Sequence, residues 1–289
     1  MEFLRPASWR EALEAKAAHP DATPIAGGTD VMVELNFDRA RPGALLDLTA
    51  VPEAAEWAPD GSELRIGAGV PYTRLIDELG THLPGLAMAS RTVGSPQIRN
   101  RGTLGGNLGS ASPAGDGHPP LLASGASIEV ESVRGSRVIP AEEFCTAPKR
   151  NALEPDELIA AVRIAPASGP QQFSKIGPRN AMVIAVCTFA IALHPDEQRV
   201  GTGIGSAAPT PIRAREAEEF LAAELDWSGR GVLPDSVAKR FGELVAQVAT
   251  PIDDVRGSAV YRRHALSVMA RRTLGWAWHE HCSGRQECA

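Results

Sequence analysis

The sequence has 289 residues, of which 43% are hydrophobic and 22% are charged, and its formal net charge is −6. This length predicts two domains, or one large domain with an appendage, and the composition excludes a disordered, collagen-like or coiled-coil chain. The negative charge and the scattered basic residues argue against a nucleic-acid partner. The longest nearly uninterrupted apolar run, Val183–Leu193, is too short for a membrane span. Because the N-terminus carries no export signal, we expect a cytoplasmic protein.

The first part of the chain, about sixty residues long, predicts a small α/β unit. Ser8 and Glu11 have the spacing of a capping box, which predicts that a helix begins here. A short strand over Ala22–Ala26 runs directly into the glycines of Gly27–Asp30, and a second strand follows at Ala44–Leu48. A strand, a glycine turn, a further element and a strand in this order are typical of an α/β layer.

The middle of the chain mixes strands and helices. A cluster of Ser, Gly and Pro at residues 168–170 indicates a domain boundary near residue 170. The predicted elements before it are a strand at 64–70, helices ending at Leu79 and spanning 84–93, hairpin strands at 126–131 and 138–139, and a strand at 158–164.

The last third of the chain places its strands before its helices. Strands are predicted at 172–177, 183–193 and 198–206, and helices at 213–225, 236–248 and 258–278. This order is typical of a segregated α+β domain. Gly203–Ala208 matches the GxGxxA pattern of a dinucleotide-binding turn. Pro209 and Pro211 would break the helix that must follow, which excludes a nicotinamide-type fold.

Gly102–Gly117 is the least ordinary segment. It contains six glycines, and only Leu104 and Leu108 could bury much side chain, so we expect a loop that is costly to order. Successive N–H groups without Cβ atoms can form a concave nest around phosphate oxygens, and three or four such bonds could hold a diphosphate. Because no GK[ST] follows the glycines, a Walker-type hydrolase is excluded. The alternative is a glycine-rich surface loop without a ligand.

A second glycine bend, Ala26–Asp30, lies at the end of the first predicted strand, Ala22–Ala26. Its backbone N–H groups could face the same diphosphate from another direction. Standing alone, such a bend is more simply a tight turn that needs a positive φ. Two glycine segments in one half of the chain, without either standard nucleotide motif, favour a bound phosphate group.

Metal ligands and catalytic groups are not evident. The four cysteines form no CxxC pair, and Cys187 lies in an apolar run as a core residue would. The histidines and cysteine of Trp276–Cys282 are better explained by a frayed terminus than by a metal site. No GxSxG, SxxK or carboxylate pair in a polar loop was found, so an imported cofactor would have to supply any redox chemistry.

The sequence resembles the FAD-binding medium subunit of the molybdenum hydroxylases, the family of carbon monoxide dehydrogenase and bacterial xanthine dehydrogenase. The resemblance spans nearly the whole chain, and the segments that carry it are Ala26–Asp30, Ser95–Asn100, Thr103–Asn107, Ala111–Asp116, Gly205–Ala214, Asp254–Ser258 and Tyr261–Arg263. It implies an α+β fold in which a two-subdomain PCMH-type FAD-binding domain precedes a C-terminal domain with a three-stranded antiparallel sheet and helices. The implied boundaries are 1–170 for the first domain (subdomains about 1–58 and 59–170), 171–276 for the second, and 277–289 for a tail without a family counterpart.

The resemblance also implies where FAD binds. Its diphosphate would lie between the two glycine segments, Asp116 would close the second segment, and Val93, Ile159 and Lys175 would border the flavin ring. The implied cofactor-binding residues are Ile25, Ala26, Gly27, Gly28, Thr29, Asp30, Val31, Val93, Thr103, Leu104, Gly105, Gly106, Asn107, Asp116, Ile159 and Lys175. Relatives commonly have an Asp where this sequence has Val183, four residues after Arg179.

The implied function is electron transfer. FAD would accept electrons from the iron–sulfur centres of a small [2Fe-2S] subunit and pass them to an external acceptor, while a large molybdopterin subunit oxidises the substrate, within a dimer of heterotrimers. Two alternatives remain open. One is a self-sufficient FAD-dependent oxidoreductase of the same fold, such as the UDP-N-acetylenolpyruvoylglucosamine reductases, and the other is a phosphate- or nucleotide-binding protein without redox activity.

Overall fold

The computed structural model describes residues 1–229 and 231–287. The chain begins with a three-stranded parallel sheet in the order β1-β3-β2. Its elements are β1 (Glu2–Leu4), α1 (Trp9–Ala18), β2 (Thr23–Ile25), α2 (Val31–Asn36) and β3 (Ala44–Asp47). The predicted capping is confirmed, because the Ser8 hydroxyl accepts from the Glu11 N–H. The Glu11 carboxylate accepts from the N–H of Ala7 rather than that of Ser8.

A second unit is built on a five-stranded antiparallel sheet in the order β4-β5-β10-β6-β7. Its first elements are β4 (Trp57–Asp60), β5 (Glu63–Gly67), α3 (Tyr72–Glu78), α4 (Pro84–Arg91), α5 (Pro96–Arg101), α6 (Leu104–Ser110) and α7 (His118–Ala123). They are followed by β6 (Ser127–Ser132), β7 (Gly135–Pro140), α8 (Ala141–Phe144), β8 (Cys145–Ala147), β9 (Arg150–Asn151) and β10 (Leu158–Ile164). The predicted hairpin and the strand before the boundary are therefore confirmed.

The expectation of an irregular loop over 102–117 is wrong at its centre, where α6 forms despite its glycines. The Thr103 side chain caps this helix by accepting from the Gly106 N–H at 3.0 Å. Leu104 and Leu108, four residues apart on one face, are fully buried in the core of this unit. Tertiary burial of these two leucines thus outweighs the low helix propensity of glycine.

The last part of the chain is a three-stranded antiparallel sheet covered by helices, as predicted. The strands are β11 (Gln171–Ile176), β12 (Cys187–His194) and β13 (Arg199–Gly205), in the order β11-β12-β13. The helices are α9 (Arg215–Glu224), α10 (Asp235–Gln247) and α11 (Ala259–Glu287). The strand predicted from residue 183 begins only at Cys187, because Ile176 pairs with Cys187 and the residues between them leave the sheet as a loop.

The expected tail is not frayed over its described part, since residues 277–287 continue α11. Trp278 is buried, packs edge-on against Trp227 and donates its indole N–H to the Gly231 carbonyl. This aromatic contact explains why the helix does not stop near residue 276. Cys288 and Ala289 of the predicted tail lie outside the described residues. In the part of the chain that the structure describes, no helix has the length and apolarity needed to cross a bilayer.

Two glycines of β13, Gly201 and Gly203, serve packing between the two halves of the chain, and Gly203 is the first glycine of the GxGxxA match. A Cβ atom on Gly201 would lie 1.9 Å from the Ala123 carbonyl oxygen, and one on Gly203 would lie 1.9 Å from that of Pro119. Strand β13 therefore approaches α7 more closely than any side chain would allow. No helix follows Gly205 directly, as the prolines predict.

Arg262 links three segments of the last domain. Its guanidinium is 3% exposed and donates to the carbonyls of Val186 at 3.1 Å and Ser206 at 2.6 Å, and to the Asp254 carboxylate at 2.6 Å. The Ser206 N–H in turn donates to the Pro113 carbonyl of the glycine-rich segment. This single side chain therefore joins the beginning of α11 to the contact between the two halves of the chain.

We expect Arg262→Ala to lower the free energy of unfolding by about 2–3 kcal/mol, because two buried carbonyls and a carboxylate lose their donor. Urea unfolding followed by tryptophan fluorescence measures this change. The neighbour Arg263 is exposed and makes one long hydrogen bond, to the Ala249 carbonyl at 3.3 Å. It provides the control, and Arg263→Ala should cost less than about 1 kcal/mol. Equal effects of the two variants would contradict this role of Arg262.

Candidate functional site

A cavity of about 810 Å³ lies between the two structural units of the first half of the chain and the loop after β11. Most residues of the predicted site line it, namely Ala26, Gly27, Gly28, Thr29, Asp30, Val31, Val93, Thr103, Gly105, Gly106, Asn107, Asp116 and Ile159. Three predicted residues do not line it. Ile25 lies in β2 beneath Gly28, Leu104 is in the core, and Lys175 lies behind Asp116.

The two glycine segments are in direct contact, although more than seventy residues separate them. A Cβ atom on Gly27 would lie 1.9 Å from the Arg101 carbonyl oxygen and 2.9 Å from the Cα of Gly102. Only glycine fits at position 27, because the obstacle is backbone rather than a movable side chain. The tertiary structure thus places both segments along one wall of the cavity.

The first segment presents unused hydrogen-bond donors. Among the described residues, no protein acceptor takes the backbone N–H groups of Gly27, Gly28, Thr29 or Asp30. Gly28 has a φ of +72°, so the direction of the chain reverses here in a conformation that glycine adopts without strain. Consecutive unused N–H groups around a residue with positive φ form an anion-binding concavity.

The second segment does not form the expected nest, because its first N–H groups already have partners. Leu104 donates to the Val70 carbonyl at 3.3 Å, Gly105 to the Ala68 carbonyl at 2.9 Å and Gly106 to the Thr103 hydroxyl at 3.0 Å. A Cβ atom on Gly105 would lie 2.5 Å from the Ala68 side chain. The glycines of α6 therefore allow the helix to pack closely against the chain around Ala68. The free N–H donors of the cavity wall come from the first segment.

A buried ion pair lies beside the cavity. Lys175 donates to the Asp116 carboxylate at 2.5 Å and to the Thr92 carbonyl at 3.2 Å, and both charged side chains are less than a tenth exposed. Burial raises the pKa of Asp116, and the Lys175 ammonium opposes this rise. Asp116 lines the cavity, and its second carboxylate oxygen, Oδ1, has no hydrogen-bond partner among the residues that the structure describes. This acceptor is available to a hydrogen-bond donor in the cavity.

His118 supports the segment that carries Asp116. The ring is buried, and its Nδ1 lies 3.8 Å from the Cys145 sulfur. Burial lowers the pKa of His118 to about 4, so the neutral ring is the folded form near neutral pH. The neighbouring Asn107 side chain accepts from the Gly117 N–H at 3.2 Å. These contacts fix the chain directly after Asp116.

The pKa of His118 predicts acid sensitivity. The unfolded chain takes up a proton below a pKa of about 6.5, whereas the folded chain does so only below about 4. Folding stability is therefore lost as the pH falls between these values, by up to about 3 kcal/mol. Urea unfolding between neutral pH and pH 4 should show a shallower pH dependence in His118→Gln. The exposed His264 serves as the control, and a wild-type slope in His118→Gln would contradict this assignment.

The loop after β11 forms one lip of the cavity. Met182, Val183 and Ile184 line it, and Met182 and Ile184 are both 56% exposed. Arg179 donates to the Met182 carbonyl, which holds Met182 at a φ of +49°. The Val183 side chain packs against Gly177. The lip is therefore apolar at Met182, Val183 and Ile184.

Sequence reasoning missed several residues of the cavity wall. Lys149 and Asn151 reach it from the β8–β9 hairpin, Trp9 reaches it from α1, Ser110 is the last residue of α6, and Ser112 follows that helix. Short polar residues at the end of a glycine-rich segment could have indicated Ser110 and Ser112. No local motif surrounds Lys149, because its neighbours in the cavity are Asp30, at the end of the first glycine segment, and Glu34 of α2, both more than a hundred residues away.

The fold joins a first half with a large cavity beside two glycine segments to a last part built on a three-stranded sheet, and the free N–H groups of the first segment suit a phosphate group. Residues 1–167 match the family described as the FAD binding domain in molybdopterin dehydrogenase, and residues 172–277 match the CO dehydrogenase flavoprotein C-terminal domain. The chain belongs to the FAD-binding subunits of the molybdopterin dehydrogenases, and its cofactor is FAD.

Individual proteins show the same similarity. The putative xanthine dehydrogenase FAD-binding subunit of Escherichia coli is 32% identical over 95% of both chains. The nicotine 6-hydroxylase medium subunit of Paenarthrobacter nicotinovorans is 30% identical over 95% of this chain and 96% of that one. A chain of quinoline 2-oxidoreductase from Pseudomonas putida 86 superimposes with a TM-score of 0.89 at 25% identity and covers 98% of both chains.

The residues present fit FAD. The free N–H groups of Gly27–Asp30 suit a diphosphate, and the unpaired Oδ1 of Asp116 suits one of the hydrogen-bond donors of the cofactor. The cavity volume of about 810 Å³ is within the range of cofactor sites. The chain is thus an FAD-carrying component of an oxidoreductase.

Proposed function

We propose that FAD binds in this cavity, with its diphosphate on the N–H groups of Gly27–Asp30 and its ring end near the Lys175–Asp116 pair. Four consecutive free donors beside a chain reversal support the first placement, and they are the observation on which the proposal chiefly rests. The unpaired Asp116 oxygen supports the second. Val93 and Ile159 line the same cavity with apolar surface and would keep water from the ring.

When bound, FAD supplies electron transfer in steps of one or two electrons, which no side chain of this protein can provide. Asp116 accepts a hydrogen bond from the cofactor through Oδ1 and is itself held by Lys175. The Lys175 ammonium places a positive charge near the ring and favours negative charge there. Thr92 contacts both members of this pair, His118 packs against Cys145 and fixes the segment that follows Asp116, and the apolar lip at Met182–Ile184 limits the access of water.

The chain would work as the electron-transfer subunit of a molybdenum hydroxylase complex. Electrons would come from the iron–sulfur centres of a small [2Fe-2S] subunit, and a large molybdopterin subunit would oxidise the substrate. The names of the relatives, an FAD-binding subunit of a xanthine dehydrogenase and a medium subunit of a nicotine hydroxylase, support this arrangement. We further propose a dimer of heterotrimers in the cytoplasm, an external electron acceptor and domain boundaries near residues 170 and 276.

Purification of the native complex through a tag on this chain tests the proposal. We expect a yellow preparation with flavin absorbance at about 450 nm and two further subunits that contain molybdenum and iron. The lone chain should bind FAD yet oxidise no small organic substrate. Rapid turnover by the lone chain would instead establish the self-sufficient oxidoreductase. A colourless chain after incubation with FAD would overturn the proposal.

A further inference from the structure

The β8–β9 hairpin holds Lys149 in a defined place at the cavity. Its backbone N–H donates to the Ala111 carbonyl at 3.0 Å, and the Asn151 side chain donates to the Gly109 carbonyl at 3.0 Å. Lys149 has a φ of +61°, a conformation that costs a residue with a Cβ atom some free energy. The hairpin is thus fixed to the end of α6, and its strained residue faces the cavity.

The Lys149 ammonium lies next to the first glycine segment. Its Nζ is 3.4 Å from the Asp30 carboxylate and 3.5 Å from the Glu34 carboxylate, and all three side chains are about half exposed. Ion pairs of this kind are weak, so the ammonium can turn to a stronger anion without a large loss. Asp30 is also one of the residues whose backbone N–H is free. The cation and the free donors therefore adjoin the same part of the cavity.

We propose that Lys149 is the counter-ion of the diphosphate held by Gly27–Asp30, an inference that rests on the function proposed above. The glycine segments contain no lysine, and the carboxylates of Asp30 and Glu34 would repel a diphosphate if no cation stood between them. Lys149 supplies that positive charge from a distant part of the chain. Its long, flexible side chain binds phosphate as a point charge.

A purely mechanical role is the competing explanation, in which Lys149 only ties the hairpin to α2. The two explanations differ in sign for Glu34→Gln. If Lys149 serves the diphosphate, Glu34→Gln removes a repelling charge and a competing partner, so FAD binds more tightly. If the ion pair only closes the cavity, Glu34→Gln loosens the closure, so FAD binds more weakly.

The experiment measures the Kd and the dissociation rate of FAD by flavin fluorescence on the full chain, at low and high salt. At low salt we expect Lys149→Met to raise the Kd of FAD about tenfold, because one charge-assisted hydrogen bond is lost. Glu34→Gln should lower the Kd about twofold. Lys149→Arg keeps the charge and should stay near the wild type. Arg150→Met, on the same hairpin and exposed, is the matched control. The effect of Lys149→Met should shrink at high salt.

The outcomes separate this inference from the proposed function. FAD binding that is equal in wild type and Lys149→Met, or weaker in Glu34→Gln, would overturn the role of Lys149 and leave FAD binding itself intact. Absence of FAD binding by the wild-type chain would overturn the proposed site instead. Thermal unfolding of the FAD-free chain checks that Lys149→Met folds as the wild type does. Loss of FAD binding in Arg150→Met as well would contradict a specific role for Lys149.

Discussion

Gly27→Ala should weaken FAD binding by at least about a hundredfold, equivalent to about 2.8 kcal/mol. The added Cβ would lie 1.9 Å from the Arg101 carbonyl oxygen and 2.4 Å from its carbon, so the two glycine segments must move apart. Overpacking against backbone costs about 1–3 kcal/mol in the folded chain. The movement also displaces the N–H groups proposed to hold the diphosphate. Equilibrium titration with FAD, followed by flavin fluorescence, measures the loss.

The matched control for this prediction is Gly43→Ala. Gly43 belongs to the same small unit, has no atom within 4 Å of its Cβ position and shows no positive φ. Its replacement should therefore leave FAD affinity unchanged. Thermal unfolding of both variants without FAD separates a local displacement from general unfolding. Wild-type affinity in Gly27→Ala would show that contact between the two segments does not shape the cofactor site.

Lys175→Met should lower the free energy of unfolding by about 3–5 kcal/mol, because the buried carboxylate of Asp116 loses its cation. Asp116 has a raised pKa, so the folded chain binds its proton more readily than the unfolded chain does. Stability from this group is present at low pH and is lost as the pH rises through the raised pKa. The deficit of Lys175→Met should therefore shrink on acidification from pH 7 towards pH 5. Urea unfolding at both pH values tests the sign.

The double variant Lys175→Met/Asp116→Asn controls for the buried charge. Removing both charges should recover most of the lost stability, since neither is left without a partner. The flavin midpoint potential gives an independent measurement in the holo-protein. It should fall in Lys175→Met by about 30 mV or more, which is about 1.4 kcal/mol for two electrons, because a nearby cation favours the reduced cofactor. An unchanged potential would remove the electrostatic role of Lys175.

Secondary structure with a strong local signal was predictable. The capping pair at Ser8 and Glu11, the hairpin around Gly135 and the buried strand β10 all lie within a few residues of their predicted places. In each case the signal is short in range, either a cap spacing or a period of two in hydrophobicity. The three strands and three helices of the last domain follow for the same reason.

Elements whose stability comes from distant contacts were not predictable. Helix α6 contains three glycines over Leu104–Ser110, and it forms because Leu104 and Leu108 are buried by residues far away in the sequence. The described part of the predicted tail remains helical because Trp278 packs on Trp227. Local propensity is too weak to overrule such tertiary packing.

The amino-acid order established the cofactor class, since two glycine segments without a Walker or Rossmann pattern, together with the family motifs, led to FAD. It also predicted which segments surround the cofactor. The partners within the site came from folding: Lys175 on Asp116, Lys149 beside Asp30, and free N–H groups on one glycine segment but not on the other. The physical reason is one of range. Local backbone conformation depends mainly on neighbouring residues. Which backbone N–H groups find an acceptor, and which charges pair, depends on the atoms that the folded chain brings together.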